Sequence, residues 1–219
     1  MSANSVTFPF YPTVQDMRDV FVVLKAAFPN GNAPNGMLEM VGTAFVADQD
    51  TIFGEPNEDY IEREILWYDS ESLNIHDMKP PIPQIWRDIA RPDGTINSNY
   101  GYLLYSQENG AQFDKVYAAL RRDINTRQAI AIYTRPSIHV EAGRDFICTN
   151  TVQYVVRHDE LHVIVNMRSN DVVFGYRNDY AWQRAVQIRL CRLLSIDPGD
   201  IFWQTGSLHV YPRHFGLVK

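Results

Sequence analysis

The stretch TVQYVVRHDELHVIVNMR, residues 151–168, decides the fold of this 219-residue chain. Its two halves, 151–157 and 161–168, are rich in β-branched and aromatic residues, which favour strands. The residues HDE (158–160) between them predict a turn, so the two strands pair as an antiparallel hairpin. Such a hairpin places the residues just before its first strand beside those that follow its second strand.

Outward from this hairpin, the apolar spacing predicts further helices and strands. Helices are predicted at about 14–27, 58–70, 111–123 and 179–195, and strands at 38–47, 129–136 and 207–211. The segment DPGD (197–200) predicts a turn that ends the last helix. Helices mixed with hairpin-connected strands indicate an α/β (α+β) fold around one large mixed or mostly antiparallel sheet, with residues 1–219 forming a single domain.

The composition is that of a globular protein, with 45% hydrophobic and 21% charged residues. The net charge of -6 argues against a broad nucleic-acid footprint, so direct DNA binding is not expected. The chain has no apolar run of about 18 residues and no basic-then-apolar N-terminal signal, which predicts a cytoplasmic protein without a membrane partner. In that compartment Cys148 and Cys191 are not expected to form a disulfide, and no Cys or His cluster has the spacing of a metal site.

Cys148 lies at the entry of the first hairpin strand, and Arg168 lies at the end of the second. Because the turn places residues 151 and 167 roughly opposite each other, the two side chains should meet at one edge. A guanidinium near a thiol favours the thiolate, which is the nucleophilic form. The alternative for Cys148 is a buried structural cysteine, a common environment for this residue type.

Arg168 and Ser169 together predict a phosphate site, because arginine offers a rigid fork of donors and serine offers a hydroxyl. Arg127 and Arg135 flank the strand AIAIY and could add to the same anion site or to one on a partner subunit. The alternatives are a strand-end arginine in solvent for Arg168 and ordinary surface charges for the other two.

Four further polar residues are candidates for a binding site. Glu64 lies in a helix beside apolar residues, and its alternative is a solvated helix position. His209 and Tyr211 alternate along a strand, so both side chains point to one face. Such a pair could bind a sugar hydroxyl, and the alternative is an ordinary half-exposed strand. Asp179 precedes the last predicted helix, so its alternative role is that of an N-cap.

Several motifs, taken in chain order, resemble the thymidylate synthase superfamily. They are the IFG ending at Gly54, the E-x-x-W beginning at Glu64, the cysteine at the strand entry, the RS-x-D twenty residues later, and the G-x-LHVY near the C-terminus. Within the superfamily, the chain is similar to phage-type deoxycytidylate (dCMP) hydroxymethylases. The similarity runs from Leu38 to the C-terminus through FVADQDTIFG, INSNYG, IYTRPS, CTNTVQY, NMRSNDVVFGYRNDYAWQ and GSLHVYPRHF.

The resemblance implies a large mixed sheet flanked by helices, a homodimer formed through a sheet face, and a role for each matching residue. Cys148 would be the nucleophile, and Glu64 would order water and protons. The substrate-binding residues would be Arg168, Ser169, Asn170, Arg127, Tyr100, His209 and Tyr211. The folate would contact Asp171, Trp86 and Gly175.

The sequence also departs from the family pattern. Family phosphate arginines cross the dimer interface from a pair that matches Arg127 and Gln128, and Gln128 supplies no charge, so Arg135 or another group is expected to compensate. The nucleophile lies in Ile147-Cys148-Thr149 rather than in a Pro-Cys-His context. The sequence ends at HFGLVK, without the longer tail that relatives close over the folate, so we expect a different lid or a more open site.

The match at Asp179 implies the substrate base, because synthases have asparagine there. Cytosine presents an amino donor at position 4 and a bare acceptor at nitrogen 3, and a carboxyl group can accept from the first and share a proton with the second. The implied reaction therefore uses dCMP and 5,10-methylenetetrahydrofolate, without a metal, and gives 5-hydroxymethyl-dCMP. Two alternatives stay open: a CMP hydroxymethylase of nucleoside antibiotic biosynthesis, and a non-catalytic nucleotide- or RNA-binding relative.

Overall fold

A computed structural model describes residues 11–137 and 144–219, so the N-terminal signal expectation, which rests mainly on residues 1–10, lies outside it. These residues form one five-stranded sheet with helices packed against it. The strands are β1 (Leu38–Val46), β2 (Ile130–Ile132), β3 (Thr149–Arg157), β4 (Glu160–Asp171) and β5 (Asp197–Val210). The helices are α1 (Val14–Ala27), α2 (Glu58–Asp69), α3 (Gln84–Ile89), α4 (Tyr100–Tyr105), α5 (Gln112–Arg122) and α6 (Gly175–Leu194). None of these helices is both long and apolar enough to cross a membrane.

The sheet has the strand order β1-β5-β4-β3-β2 and is mixed, as the sequence predicted. β3 and β4 form the predicted antiparallel hairpin, and His158 and Asp159 make its turn with φ values of 53° and 63°. Positive φ at both central residues is typical of the turn type that matches the twist of two paired strands. β4 and β5 run parallel because α6 crosses between them.

The two faces of the sheet differ in burial. One row across all five strands is fully buried against the helices: Phe45, Trp203, Val165, Val152 and Ala131. The next row points to the other face and is only half-buried or exposed: Val46, Phe202, Ile164, Gln153 and Ile130. One face of the sheet is therefore covered by helices, and the described residues cover the other face, called the open face below, only in part.

The last strand begins earlier than the sequence indicated. The prediction of a turn at 197–200 and a strand only from 207 was wrong, because β5 pairs with β4 from Asp197 onward. The Pro-Gly pair marks an irregular strand start instead, with a register shift between Leu161 and Val163. A Cβ at Gly199 would lie 2.6 Å from the His162 ring, so glycine permits this close approach.

The last helix also begins earlier than predicted, at Gly175 rather than near residue 179. The carboxylate of Asp171 accepts hydrogen bonds from the backbone N–H groups of Val173 (3.2 Å) and Phe174 (3.1 Å), which fixes the turn that leads into α6. Asp179 therefore lies inside the helix, and the N-cap alternative for this residue is wrong. The strand predicted at 129–136 is reduced to Ile130–Ile132.

Candidate active site

Cys148 and Arg168 meet at the edge of the hairpin, as the strand pairing predicts. The Arg168 backbone N–H donates to the Cys148 carbonyl at 2.9 Å, and Arg168 Nη2 lies 3.5 Å from Cys148 Sγ. Arg168 Nε and Nη2 also donate to the carbonyls of Ile147 (3.0 Å) and Phe146 (2.6 Å). These bonds hold the guanidinium in place, and within the described residues Nη1 makes no hydrogen bond, which leaves a donor edge for an anion.

Burial raises the pKa of the Cys148 thiol to about 11, and Asp179 and Asp145 add to that rise. The charge of Arg168 acts in the opposite direction, as expected from the sequence, but does not overcome burial. Near neutral pH the resting thiol is therefore protonated. The thiol is half-buried rather than sealed in the core, unlike that of Cys191.

The ends of the neighbouring strands β4 and β5 carry three more of the predicted site residues, which are Ser169, His209 and Tyr211. β4 and β5 pair Ser169 with Ser207 and Asp171 with His209. His209 is buried, and its ring contacts that of Tyr211 edge-to-face with centroids 5.0 Å apart. The parallel register thus brings Ser169, which is predicted to bind phosphate, to the end of the sheet where Cys148 and Arg168 lie. It brings the pair predicted to bind the sugar, His209 and Tyr211, to the same end.

Asp179 points from α6 toward this edge and is held by Asn170 of β4. Asn170 Nδ2 donates to Asp179 Oδ2 at 2.8 Å. Burial, followed by the nearby Glu64 charge, raises the pKa of Asp179 to about 8, while hydrogen bonds from Asn170 and Tyr100 act against the rise. Near neutral pH the carboxyl group is thus largely protonated and can act as a proton donor. Tyr100 is itself anchored by Thr149, whose hydroxyl donates to the Tyr100 oxygen at 3.0 Å.

Glu64 is 5% exposed, so the solvated-helix alternative for this residue is wrong. The Tyr60 hydroxyl donates a short hydrogen bond to Glu64 Oε1, and Trp86 Nε1 donates to the Tyr60 oxygen at 2.9 Å. Burial raises the pKa of Glu64 to about 7, and the bond from Tyr60 is the largest effect that lowers it. A carboxyl group of this kind can hold or release a proton near neutral pH.

Tyr60 was missed by the sequence reasoning, although a signal was present. It lies four residues before Glu64 on α2, a spacing at which two helix side chains face each other. Trp86, predicted to contact folate, is buried and uses its indole N–H on Tyr60, so it belongs to the Glu64 network in this structure.

Asp171 and Gly175 lie together at the turn before α6, on the side predicted to face folate. Phe174 is 44% exposed between them, and the Arg177 guanidinium lies 4.7 Å from its ring centroid. Arg177 Nε is buried and makes no hydrogen bond to the described residues. This corner offers a carboxylate, an exposed ring and a cation to a flat, polar, partly anionic molecule.

The two other arginines predicted to bind phosphate, Arg127 and Arg135, have different surroundings in the protomer. Arg127 is exposed, and its carbonyl accepts from the side chain of Gln153 at 2.8 Å. Gln153 is five positions beyond Cys148 on β3, a separation of roughly 16 Å along a strand. An arginine side chain is shorter than this separation, so Arg127 does not reach Arg168 within the protomer. Arg135 Nη1 donates to the side chain of Asn109.

Cys191 is buried in α6, and both cysteines are free. Among the residues that the structure describes, no group of three or more His, Cys, Asp or Glu side chains could hold a metal ion. The titratable groups that the structure does bring together are the Cys148 thiol, the Glu64 and Asp179 carboxyl groups with raised pKa values, and Arg168.

Comparison with known proteins gives consistent matches. The thymidylate synthase family model matches residues 58–219. A deoxycytidylate 5-hydroxymethyltransferase of Enterobacteria phage T6 is 48% identical over 192 residues, covering 83% of this chain and 78% of the relative, and that of phage T4 is 47% identical over the same length and coverage. A thymidylate synthase of Bacillus atrophaeus is 27% identical over 72% of each chain.

A solved structure, the thermostable thymidylate synthase A from Bacillus subtilis, has the same fold. It superposes with a TM-score of 0.67 at 23% sequence identity, and the match covers 82% of this chain and 68% of that one. These comparisons confirm the family resemblance and the fold class inferred from the sequence motifs.

Proposed function

Because the chain belongs to the thymidylate synthase family, we propose that it is a folate-dependent deoxycytidylate 5-hydroxymethyltransferase. It transfers a one-carbon unit from 5,10-methylenetetrahydrofolate to carbon 5 of dCMP and adds water to give 5-hydroxymethyl-dCMP. The observation that carries the proposal is Asp179, a carboxyl group with a pKa of about 8, at the edge that also holds Cys148 and Arg168. The sequence identity to the phage enzymes supports it independently.

Asp179 favours cytosine over uracil. A protonated carboxyl group has one oxygen that accepts from the 4-amino group and one hydroxyl that donates to nitrogen 3. Uracil presents an oxygen at position 4 and an N–H at nitrogen 3, which reverses both needs. Because a site built for one hydrogen-bond pattern leaves buried polar groups unpaired with the other, the wrong base is rejected strongly.

Cys148 begins the reaction by adding its sulfur to carbon 6 of the cytosine. As the ring gains electron density, Asp179 gives a proton to nitrogen 3, and carbon 5 becomes nucleophilic. Arg168 stabilises the thiolate and, with Ser169, binds the phosphate that delivers the base to the sulfur. Because the pKa of the resting thiol is about 11, the thiol gives its proton to water in the site as the sulfur bonds to carbon 6.

The residues at the start of α6 fit a folate. Asp171 uses its two carboxylate oxygens on two backbone N–H groups and keeps lone pairs for a pterin, while Phe174 offers an exposed ring. Methylenetetrahydrofolate, when bound, supplies the one-carbon unit at the oxidation level of formaldehyde. The chain's own residues position that donor over carbon 5, which bonds to the one-carbon unit. The bond from that unit to the folate nitrogen then breaks, and carbon 5 gives its proton to water in the site, so that tetrahydrofolate leaves and an exocyclic methylene stays on carbon 5.

Water completes the reaction at the exocyclic methylene that remains on carbon 5. Glu64, held by Tyr60 and Trp86, orients the water and takes its proton. A carbon–oxygen bond forms at the methylene carbon, the bond between carbon 6 and the Cys148 sulfur breaks, and nitrogen 3 returns its proton to Asp179. A carboxyl group with a pKa of about 7 can accept and return a proton near neutral pH.

We also propose that the protein is a homodimer through the open sheet face. That face carries the row Val46, Phe202, Ile164, Gln153 and Ile130, and Ile132 beside it is 51% exposed. An exposed apolar sheet surface of this kind marks an interaction site. In this arrangement Arg127 serves the phosphate site of the partner subunit.

The experiment incubates the protein with methylenetetrahydrofolate and dCMP, CMP or dUMP in separate reactions, and identifies each product by mass spectrometry. The proposal predicts a product from dCMP that is heavier by one CH2O unit. Preferred turnover of CMP would instead assign the ribonucleotide reaction, because His209 and Tyr211 do not exclude a 2′-hydroxyl. Binding of dCMP without any product would assign a non-catalytic nucleotide-binding protein.

A further inference from the structure

Two cations of α1 extend from one face of that helix and bind two distant segments of the chain. Arg18 and Lys25 are seven positions apart, which is about two helical turns. Arg18 donates to two backbone carbonyls of the loop 51–55, at 2.5 and 2.6 Å. Lys25 Nζ donates to two backbone carbonyls in and just after the C-terminal turn, a 3-10 helix at Pro212–Leu217, each at 2.8 Å. Because charge-assisted hydrogen bonds are stronger than neutral ones, α1 fixes both segments.

Lys25 fixes the C-terminal turn at its end. The last carbonyl groups of a helix have no partner inside it, and here the ammonium group of Lys25 binds those of Phe215 and Val218. Val218 itself is buried. In the same turn, the His214 ring contacts the Phe174 ring edge-to-face, with centroids 4.9 Å apart. The lysine therefore holds the segment that supports one edge of Phe174.

Arg18 fixes the loop 51–55 beside the same ring. A Cβ at Gly54 would lie 3.8 Å from Arg177 Nη1 and 3.9 Å from Leu217 Cδ1, so the loop lies against both α6 and the C-terminal turn. Arg177 Nη1 also donates to a carbonyl of this loop. The guanidinium of Arg177 lies 4.7 Å from the Phe174 ring centroid. The loop thus supports Phe174 from a second side, through Arg177.

Phe174 is the exposed ring in this arrangement, and its neighbours restrict it. The ring side chain is 44% exposed, whereas Ile52 and Phe53 of the adjoining loop are buried. A side chain that is already held in place loses less conformational freedom when a ligand stacks on it. The contacts of α1 therefore bear on how well this ring can receive a flat molecule.

We propose that Lys25 is a positioning residue for folate and that Arg18 assists it from the same face of α1. This inference rests on the proposed function, in which Phe174 offers its ring to the pterin. Lys25 acts through the C-terminal turn and His214, and Arg18 acts through the loop 51–55 and Arg177. Both cations precede the residues that match the family model, and both lie outside the groups proposed to bind dCMP. Their loss should therefore weaken the binding of folate and spare that of the nucleotide.

The direct test is Lys25→Met, which keeps an unbranched apolar side chain and removes the donors. Calorimetry measures the Kd for tetrahydrofolate in the presence of dCMP, and the Kd for dCMP alone. We expect the Kd for tetrahydrofolate to rise roughly threefold to tenfold, the cost of ordering about one more side chain on binding. The Kd for dCMP should change by less than about twofold. In turnover, KM for methylenetetrahydrofolate should rise while kcat stays near that of the wild type.

Hydrogen exchange tests the role of Lys25 without any ligand. The backbone N–H groups of His214 and Val218 donate to carbonyls three residues earlier, at 2.9 and 3.2 Å, and both should exchange faster in Lys25→Met. Lys25→Arg keeps a cation with several donors, so it should restore most of the folate affinity and of the protection. The control Lys115→Met removes an exposed lysine of α5 and should behave as the wild type.

Two results would overturn the proposal. Equal losses of tetrahydrofolate and dCMP binding would show that Lys25 only stabilises the fold. Unchanged tetrahydrofolate binding, with or without faster exchange, would show that the C-terminal turn does not serve folate. If Lys25→Met does not fold, Arg18→Gln breaks the other set of bonds and should weaken tetrahydrofolate more than dCMP; equal effects, or none, would contradict the proposal in the same way.

The proposed function and this inference fail in different ways. Wild-type protein that binds tetrahydrofolate but forms no hydroxymethylated product from dCMP would refute the proposed function, and the ratio of tetrahydrofolate affinities would still decide the role of Lys25. Wild-type protein that makes the product, with a Lys25→Met variant of unchanged folate affinity, would refute the inference alone. Wild-type protein that binds no tetrahydrofolate would overturn both.

Discussion

Replacing Asp179 by asparagine tests how the base is recognised and activated. Asn170 donates a hydrogen bond to the side chain at position 179, which must therefore present an acceptor to it. The substituted amide should satisfy this by turning its oxygen toward Asn170, which directs its NH2 group toward nitrogen 3. The ground-state contacts to cytosine are then largely kept, but an amide cannot give up a proton to nitrogen 3. We expect kcat on dCMP to fall by roughly 10²–10⁴, the usual contribution of a positioned general acid.

The same substitution should permit some activity on dUMP. The side-chain amides of Asn170 and of the substituted residue 179 can both rotate by half a turn, which matches the reversed donor and acceptor pattern of uracil. This gain should be smaller than the loss on dCMP, since the surrounding groups stay arranged for cytosine. The assay is steady-state turnover on both nucleotides, with Asp197→Asn, at an exposed strand-end carboxylate, as the control. An unchanged ratio of dCMP to dUMP turnover would refute the reasoning.

Stability gives an independent reading of Asp179. Its pKa is raised on folding to about 8, so the wild-type protein loses stability as the pH rises from the unfolded pKa of about 4 through the folded pKa. Asparagine carries no such penalty. Asp179→Asn should therefore melt higher than the wild type at pH 8 and at about the same temperature near pH 4, whereas a lower melting point at pH 8 would contradict the raised pKa.

Three further outcomes are expected. Cys148→Ser should lose nearly all turnover while it still binds dCMP. The control Cys191→Ser, in the buried part of α6, should keep a turnover close to that of the wild type. Wild-type rates for Cys148→Ser would exclude the covalent mechanism. Tyr60→Phe removes the hydrogen bond that lowers the pKa of Glu64, so the acidic limb of the kcat–pH profile should move to higher pH. An unmoved limb would show that Tyr60 does not set the pKa of the group that deprotonates water. Phe202→Asp on the open sheet face should give an inactive monomer in sedimentation, and a fully active monomer would rule out a shared site.

The sequence was sufficient to predict those parts of the fold and site that depend on the local pattern of apolar and turn residues. The hairpin at 149–171 follows from strand periodicity and its turn, and the proximity of Cys148 and Arg168 follows from the pairing register. The family motifs then indicated the remaining residues of the edge. These predictions needed no knowledge of how distant helices pack.

Features that depend on tertiary contacts were not predictable in this way. The helix was predicted to begin near residue 179, but the bonds from Val173 and Phe174 to Asp171 fix a turn that lets α6 begin at Gly175. Glu64 was indistinguishable from a solvated helix residue until the packing of Trp86 and Tyr60 around it was known. The strand start at Asp197 likewise depends on a parallel partner that no local signal reveals.

The fate of the methylene on carbon 5 distinguishes hydroxymethylation from methylation. The measurement is a single turnover of wild-type protein with dCMP and methylenetetrahydrofolate in water enriched in the heavy oxygen isotope, followed by mass spectrometry of the nucleotide. The account predicts 5-hydroxymethyl-dCMP that carries one heavy oxygen, together with tetrahydrofolate. A product heavier than dCMP by only one CH2 unit, formed together with dihydrofolate, would show hydride transfer instead of hydration and would contradict it.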